Sequence, residues 1–155
     1  MNRRPVAAGA QPFMEEMIAC ATAADPVPRF LARACGIVLA FTASDAIEVR
    51  ILRRGRTSRW EMTRRPERLV RLGDVPEGTD AQAPADPPPP GIDGSSVQPL
   101  AVGEERIGLA IFRRKRPYDA VRIEAVRVAA GALATAILLH RQRSAEKERE
   151  KELEC

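Results

Sequence analysis

The sequence predicts an α/β domain of the α+β kind, a central antiparallel sheet with N- and C-terminal helices packed on one face. Three observations lead there. Apolar residues recur at helical spacing up to Thr42, alternate with polar ones in short segments between Asp45 and Phe112, and return to helical spacing after Asp119. At 155 residues the chain has room for one domain and one core. Aromatic residues are 4% of it, so that core must be built from Ala, Val, Leu and Ile, and stacking platforms for nucleic acid are not expected.

Residues 1–12 read as a flexible arm. Phe13, Met17, Ile18 and Ala21 then form a helical stripe that ends at Asp25-Pro26. Asp25 is placed to cap a second helix whose first turn tolerates Pro26 and Pro28. On that helix Phe30, Leu31, Ala34, Cys35, Val38, Leu39 and Thr42 share one broad face.

Past Ser44 the period changes to two, with Ile47, Val49 and Ile51 on one side and Glu48 and Arg50 on the other. Gly55 marks a turn into a strand over 57–63, with Trp60 and Met62 on one face, and a shorter strand over 68–72 carries Leu69. Between Asp74 and Gly94 prolines, glycines and acids displace every apolar pattern, so 74–94 reads as a disordered, polyproline-type loop inside the domain. Two strands joined at Gly103 follow. The second places Ile107, Leu109 and Ile111 on one face and Gly108, Ala110 and Phe112 on the other.

Asp119 is a cap for a final helix that runs to the chain end. Between Ala125 and Leu139 it carries one charge, Arg127, and a helix apolar on nearly all sides must be covered on nearly all sides. Val126, Ala129, Leu133, Ala136 and His140 keep the 3-4-3-4 rhythm of a coiled-coil seam. That stripe, with Phe13 and Met17 of the first helix, is the expected interface of a parallel homodimer. Residues 144–155 hold Glu, Lys and Arg at ion-pairing spacings and read as a solvated helical extension. No Gly or Pro stop signal precedes Cys155, which suggests an output domain further along a longer polypeptide.

The net charge of +4 is unevenly spread: nine arginines face four acids between Asp45 and Leu72, and Arg113 to Arg116 form a second basic run. Such clusters suit an acidic partner, a phosphate-bearing ligand or nucleic acid. They serve equally as solvated strand edges that block sheet-to-sheet aggregation, and nucleic acid is not the preferred partner. Cys20, Cys35 and Cys155 have no C-x-x-C spacing and cannot all pair, which points to a reducing, cytoplasmic compartment. The longest uncharged apolar run, Val128 to Leu139, falls short of the roughly 20 residues of a membrane span.

Val97-Gln98-Pro99-Leu100, Arg106-Ile107-Gly108-Leu109 and Tyr118-Asp119 ahead of the last helix, in that order after two leading helices, resemble a GAF domain over roughly residues 13–143. The resemblance implies a GAF/PAS-like sheet with Ile47, Val49, Ile51, Ile107, Leu109 and Ile111 towards the helices. It implies a ligand pocket on the opposite face, lined by Glu48, Arg50, Gln98, Leu100, Gly108, Ala110 and Phe112, with Arg50 as the anchor for an anionic group. The chain departs from the family where segments over the pocket are replaced by the proline-rich stretch 74–94.

Specialised members of the family are not matched. Haem ligation wants a histidine over the pocket, and His140 lies on the last helix. Bilin attachment or methionine sulfoxide reduction wants cysteine in the pocket loops, and Cys20 and Cys35 lie on helix faces. The residue set associated with cyclic-nucleotide binding is absent. There is no Gly-rich phosphate loop, H-E-x-x-H or nucleophile elbow, so no catalytic residue, metal or cofactor is expected and a small-molecule ligand stays open. The expected function is a non-catalytic sensory and dimerisation module, the regulatory input of a signalling protein such as a histidine kinase. The alternative is a basic nucleic-acid-binding or protein-binding adaptor using Arg53, Arg54, Arg56, Arg113, Arg114 and Arg116.

Overall fold

The computed structural model describes residues 5–76 and 94–154. Helices α1 (Pro5–Thr22) and α2 (Val27–Thr42) lead into strands β1 (Ala46–Arg53), β2 (Arg56–Arg64) and β3 (Glu67–Pro76), and β4 (Ser95–Val102), β5 (Glu105–Arg113) and α3 (Ala120–Glu154) complete the chain. The expected loop falls mainly on residues 77–93, outside the described residues, while Asp74 to Pro76 belong to β3. The sheet is antiparallel throughout, in the order β3-β2-β1-β5-β4.

The start of the chain differs from expectation. α1 begins at Pro5 and takes in most of the stretch read as a flexible arm. Ala7, Ala8 and Ala10 are good helix formers, and the apolar stripe from Phe13 anchors the helix they belong to. The second helix also starts differently. Pro26 holds the cap position with no side-chain cap bond, and Asp25 pairs with Arg33 at 3.2 Å instead. At α3 the expected cap is present, since Asp119 Oδ1 accepts from the Arg122 backbone N–H at 2.8 Å.

The three helices pack on one face of the sheet. Phe13, Met17, Leu31, Val38, Leu39 and Leu133 from the helices meet Ile47, Val49, Trp60, Met62, Ala110 and Phe112 from the strands in one core. Phe13 and Phe41 stack between α1 and α2 with centroids 4.0 Å apart. A buried hydroxyl chain closes the C-terminal end of α2: Ser44 Oγ lies 2.8 Å from Thr42 Oγ1 and 2.7 Å from Tyr118 Oη. It joins the end of α2 to the segment that starts α3.

α3 contains an 18-residue window long and apolar enough to cross a membrane by length and composition, which the count of strictly uncharged residues misses. In the fold 56% of that window is buried, as in the core helix of a globular domain. Beyond Arg141 the helix is exposed on all described sides and densely charged.

Candidate ligand-binding surfaces

Strand register decides which side chains share a face. Ile47, Val49 and Ile51 stand opposite Phe112, Ala110 and Gly108, while Glu48 and Arg50 stand opposite Ile111 and Leu109. On the other edge of β5, Leu100, Gln98 and Ser96 stand opposite Gly108, Ala110 and Phe112. Directly paired residues point the same way. Gln98, Leu100, Ala110 and Phe112 therefore belong to the helix side, and Leu100, Ala110 and Phe112 are fully buried there. Of the expected pocket set, only Glu48 and Arg50 keep the outer face, where Leu109 and Ile111 join them.

The misphasing has a physical cause. β5 is apolar on both faces, so alternation alone cannot say which is which. A bulge compounds it: Leu100 pairs with Gly108 but Ala101 with Arg106, leaving Ile107 without an opposite number, and Ile107 joins the core. Gly108 is needed there for backbone proximity and not for a pocket. A Cβ on it would lie 1.9 Å from the Arg50 carbonyl oxygen.

On the outer face Glu48 is the centre of an ion-pair network. Its Oε2 accepts from Arg50 Nε at 2.8 Å and from Arg59 Nε at 3.1 Å, and its Oε1 lies 3.6 Å from Arg113. Arg113 also reaches Glu61 at 3.8 Å, which separates two carboxylates that face each other across β1 and β2. Burial pushes the Glu48 carboxyl up, but the hydrogen bonds and charges of Arg50 and Arg59 outweigh it and leave the group below its ordinary value. The expected anion anchor, Arg50, is thus tied to Glu48.

The expected dimer residues are placed inside the domain. Phe13, Met17, Val126, Ala129, Leu133, Ala136 and His140 are all buried within the single chain. The 3-4-3-4 stripe of α3 faces its own α1, α2 and β4, because an α+β core asks for the same spacing as a coiled-coil seam. His140 stacks on Phe30 and its Nε2 donates to the Asp25 carbonyl oxygen at 2.6 Å.

The basic clusters are also separated. Arg53 ends β1, whereas Arg113 lies opposite Ala46 at the strand's other end, about 23 Å away at ~3.3 Å per residue. Arg113 is paired with Glu48 and Glu61, and Arg114 sits over the Tyr118 ring and donates to the Pro117 carbonyl. The six arginines proposed for nucleic acid do not form one surface. Cys20 and Cys35 are buried, and burial pushes the Cys35 thiol up to about 12, so it is protonated at neutral pH. Among the described residues no cluster of His, Cys, Asp and Glu has the makings of a metal site.

A site that the sequence did not single out lies on the helix side, where α2 and α3 leave the far end of the sheet uncovered. It is a cleft of about 690 Å³ containing Arg53, Arg54, Arg56, Arg71 and Arg141 with one carboxylate, Asp74. Its apolar wall is Val27 and Pro28 from the first turn of α2, Ile51 from β1 and Trp60 from β2. A second bulge shapes it. Arg59 pairs with Gly73 and Trp60 with Arg71, so Leu72 is the extra residue, and Arg71 and Asp74 come to one face and pair at 2.7 Å. The Arg71 guanidinium lies 5.4 Å from the centre of the Trp60 ring. The arginine surplus between Asp45 and Leu72 was the one available signal, but only register shows which of those side chains converge.

No protein-family model and no curated protein matches the sequence. Among solved structures the chain is similar to the phycoerythrobilin-bound GAF domain of a cyanobacterial phytochrome, with 9% identity, a TM-score of 0.50 and coverage of 92% of this chain and 98% of that one. The architecture is that of the GAF fold, as the sequence words at Val97, Arg106 and Tyr118 imply. The bilin belongs to that protein, and the described cysteines here lie buried on α1 and α2.

Proposed function

We propose that this chain is a non-catalytic regulatory module, the sensory input of a signal-transduction protein whose output domain, a histidine kinase by preference, follows α3. The observation that carries this reading is the continuity of α3. One helix of 35 residues has its first part buried in the core and its last part projecting as a charged, exposed rod. At ~1.5 Å per residue it is about 52 Å long, so a tilt or rotation imposed inside the domain reaches its far end as a displacement.

The same reading pairs two copies in parallel in the cytoplasm. With the seam residues used inside each chain, the exposed strip of Val121, Gly131 and Thr135 on α3 and Ile18 on α1 is left for the contact. Only a signal with different affinity for two arrangements of that pair can shift their balance.

The reading is tested by fusing the chain, through Glu154, to a dimeric kinase core that lacks its own sensor. Residues are then inserted one at a time at the junction. Autophosphorylation that rises and falls with a period of about 3.5 residues is expected, since each insertion rotates the output about the helix axis. A flat response would show that α3 is only a tether. Light scattering of the chain alone should give twice 17.0 kDa.

A further inference from the structure

The cleft between the β1–β2 hairpin, β3 and the ends of α2 and α3 holds more positive charge than the fold uses. Asp74 is engaged by Arg71 at 2.7 Å and by Arg56 at 3.8 Å. Among the described residues no carboxylate lies within ion-pair distance of Arg53, Arg54 or Arg141. Burial, and the charge of Arg53 beside it, hold the Arg141 guanidinium below its ordinary value, with Glu105 offsetting part of this. Guanidiniums confined together repel one another. An anion placed between them removes that repulsion and gains charge-assisted hydrogen bonds at the same time.

The other wall is apolar, and it carries an orphan donor. Trp60 is more than nine-tenths buried and lines the cleft, and its Nε1 has no hydrogen-bond partner among the described residues. That nitrogen lies beneath the surface, so what the ring offers the cleft is apolar contact. A cleft of about 690 Å³ is within the range that takes a small organic molecule. Its lining is drawn from α2, α3 and three strands.

We propose that this cleft binds a small phosphate ester, its phosphate held by Arg53, Arg54 and Arg141 and its aromatic or apolar body lying along Trp60, Ile51 and Pro28. A dianionic phosphate is favoured over a carboxylate because three guanidiniums without a carboxylate partner, of which Arg141 also donates to the Leu52 carbonyl oxygen at 3.4 Å, exceed what a single negative charge neutralises. The site lies on the helix side of the sheet, not on the outer face that the family resemblance assigns to ligands. Binding here does not depend on α3 transmitting anything, so the titration below and the fusion experiment above fail or succeed separately.

Trp60 is the sole tryptophan, and its fluorescence reports directly on the cleft. The full chain is titrated with phenyl phosphate, inorganic phosphate, benzoate and phenol. A saturable fluorescence change with phenyl phosphate is expected, about tenfold weaker binding of inorganic phosphate and of benzoate, and no response to phenol. Arg53→Gln and Arg54→Gln, both at the exposed hairpin, should each weaken phenyl phosphate by about tenfold with unchanged circular dichroism, and Arg149→Gln on the solvated extension should leave it as in wild type. The proposal is overturned by a flat titration with phenyl phosphate, by equal affinity for inorganic phosphate, or by hairpin variants that bind like wild type. It is also overturned if an oligonucleotide displaces phenyl phosphate with steep salt dependence, which would give the surface to nucleic acid.

Discussion

Phe30 and His140 stack ring on ring, with centroids 4.3 Å apart and planes 7° from parallel, so the start of α2 grips α3 at the last turn it spends inside the domain. The Asp25 carbonyl oxygen, 2.6 Å from His140 Nε2, can only accept, so Nε2 carries the proton. His140→Phe keeps the stack and removes the hydrogen bond, and should cost about 1 kcal/mol. His140→Ala removes both and should cost about 2 kcal/mol or more. Urea unfolding gives both values. Hydrogen exchange should show the loss of protection concentrated between Ala136 and Gln142, and equal costs for the two variants would show that stacking contributes nothing.

Leu133 is completely buried within one chain, on the stripe whose spacing reads as a coiled-coil seam. Leu133→Ala should lower stability by about 3 kcal/mol, in the usual range for a core leucine, and leave the particle mass as it is in wild type. Light scattering and urea unfolding on the same samples separate the outcomes. A variant that keeps its stability but halves its mass would return Leu133 to an interface between subunits.

Elements were legible where polarity and period agree. β1 could be phased because Glu48 and Arg50 alternate with Ile47, Val49 and Ile51, and the sheet confirms that phasing. β5 could not, because both of its faces are apolar from Ile107 to Phe112, and the bulge at Ile107 shifts the count by one. The α3 stripe was legible as buried but not as to what buries it, since spacing specifies a face and not its partner. The arginine cleft was hidden for a related reason. Arg53, Arg71 and Arg141 are far apart in sequence, and only β-pairing, the bulge at Leu72 and the packing of α3 bring them to one side.

Glu48 makes the outer face sensitive to acid. Its carboxyl is held below its ordinary value of 4.5, so its contribution to stability is complete above that value and is lost as pH falls through the depressed folded value. Glu48→Gln keeps the shape but leaves Arg50, Arg59 and Arg113 facing one another without the carboxylate. At neutral pH that should cost about 3 kcal/mol, the low end for removing one partner of a buried ion pair, because the arginines retain some contact with water. As pH falls from 4.5 through the depressed folded value wild type loses the same charge by protonation, so the gap should shrink over that range and the two proteins converge below the folded value. Urea midpoints measured for both between neutral and strongly acid pH check this: the gap stays constant above the ordinary glutamate value and closes beneath it. A gap that persists or widens on acidification would mean that the network of arginines around Glu48 is held by packing, with the carboxylate charge making no net contribution.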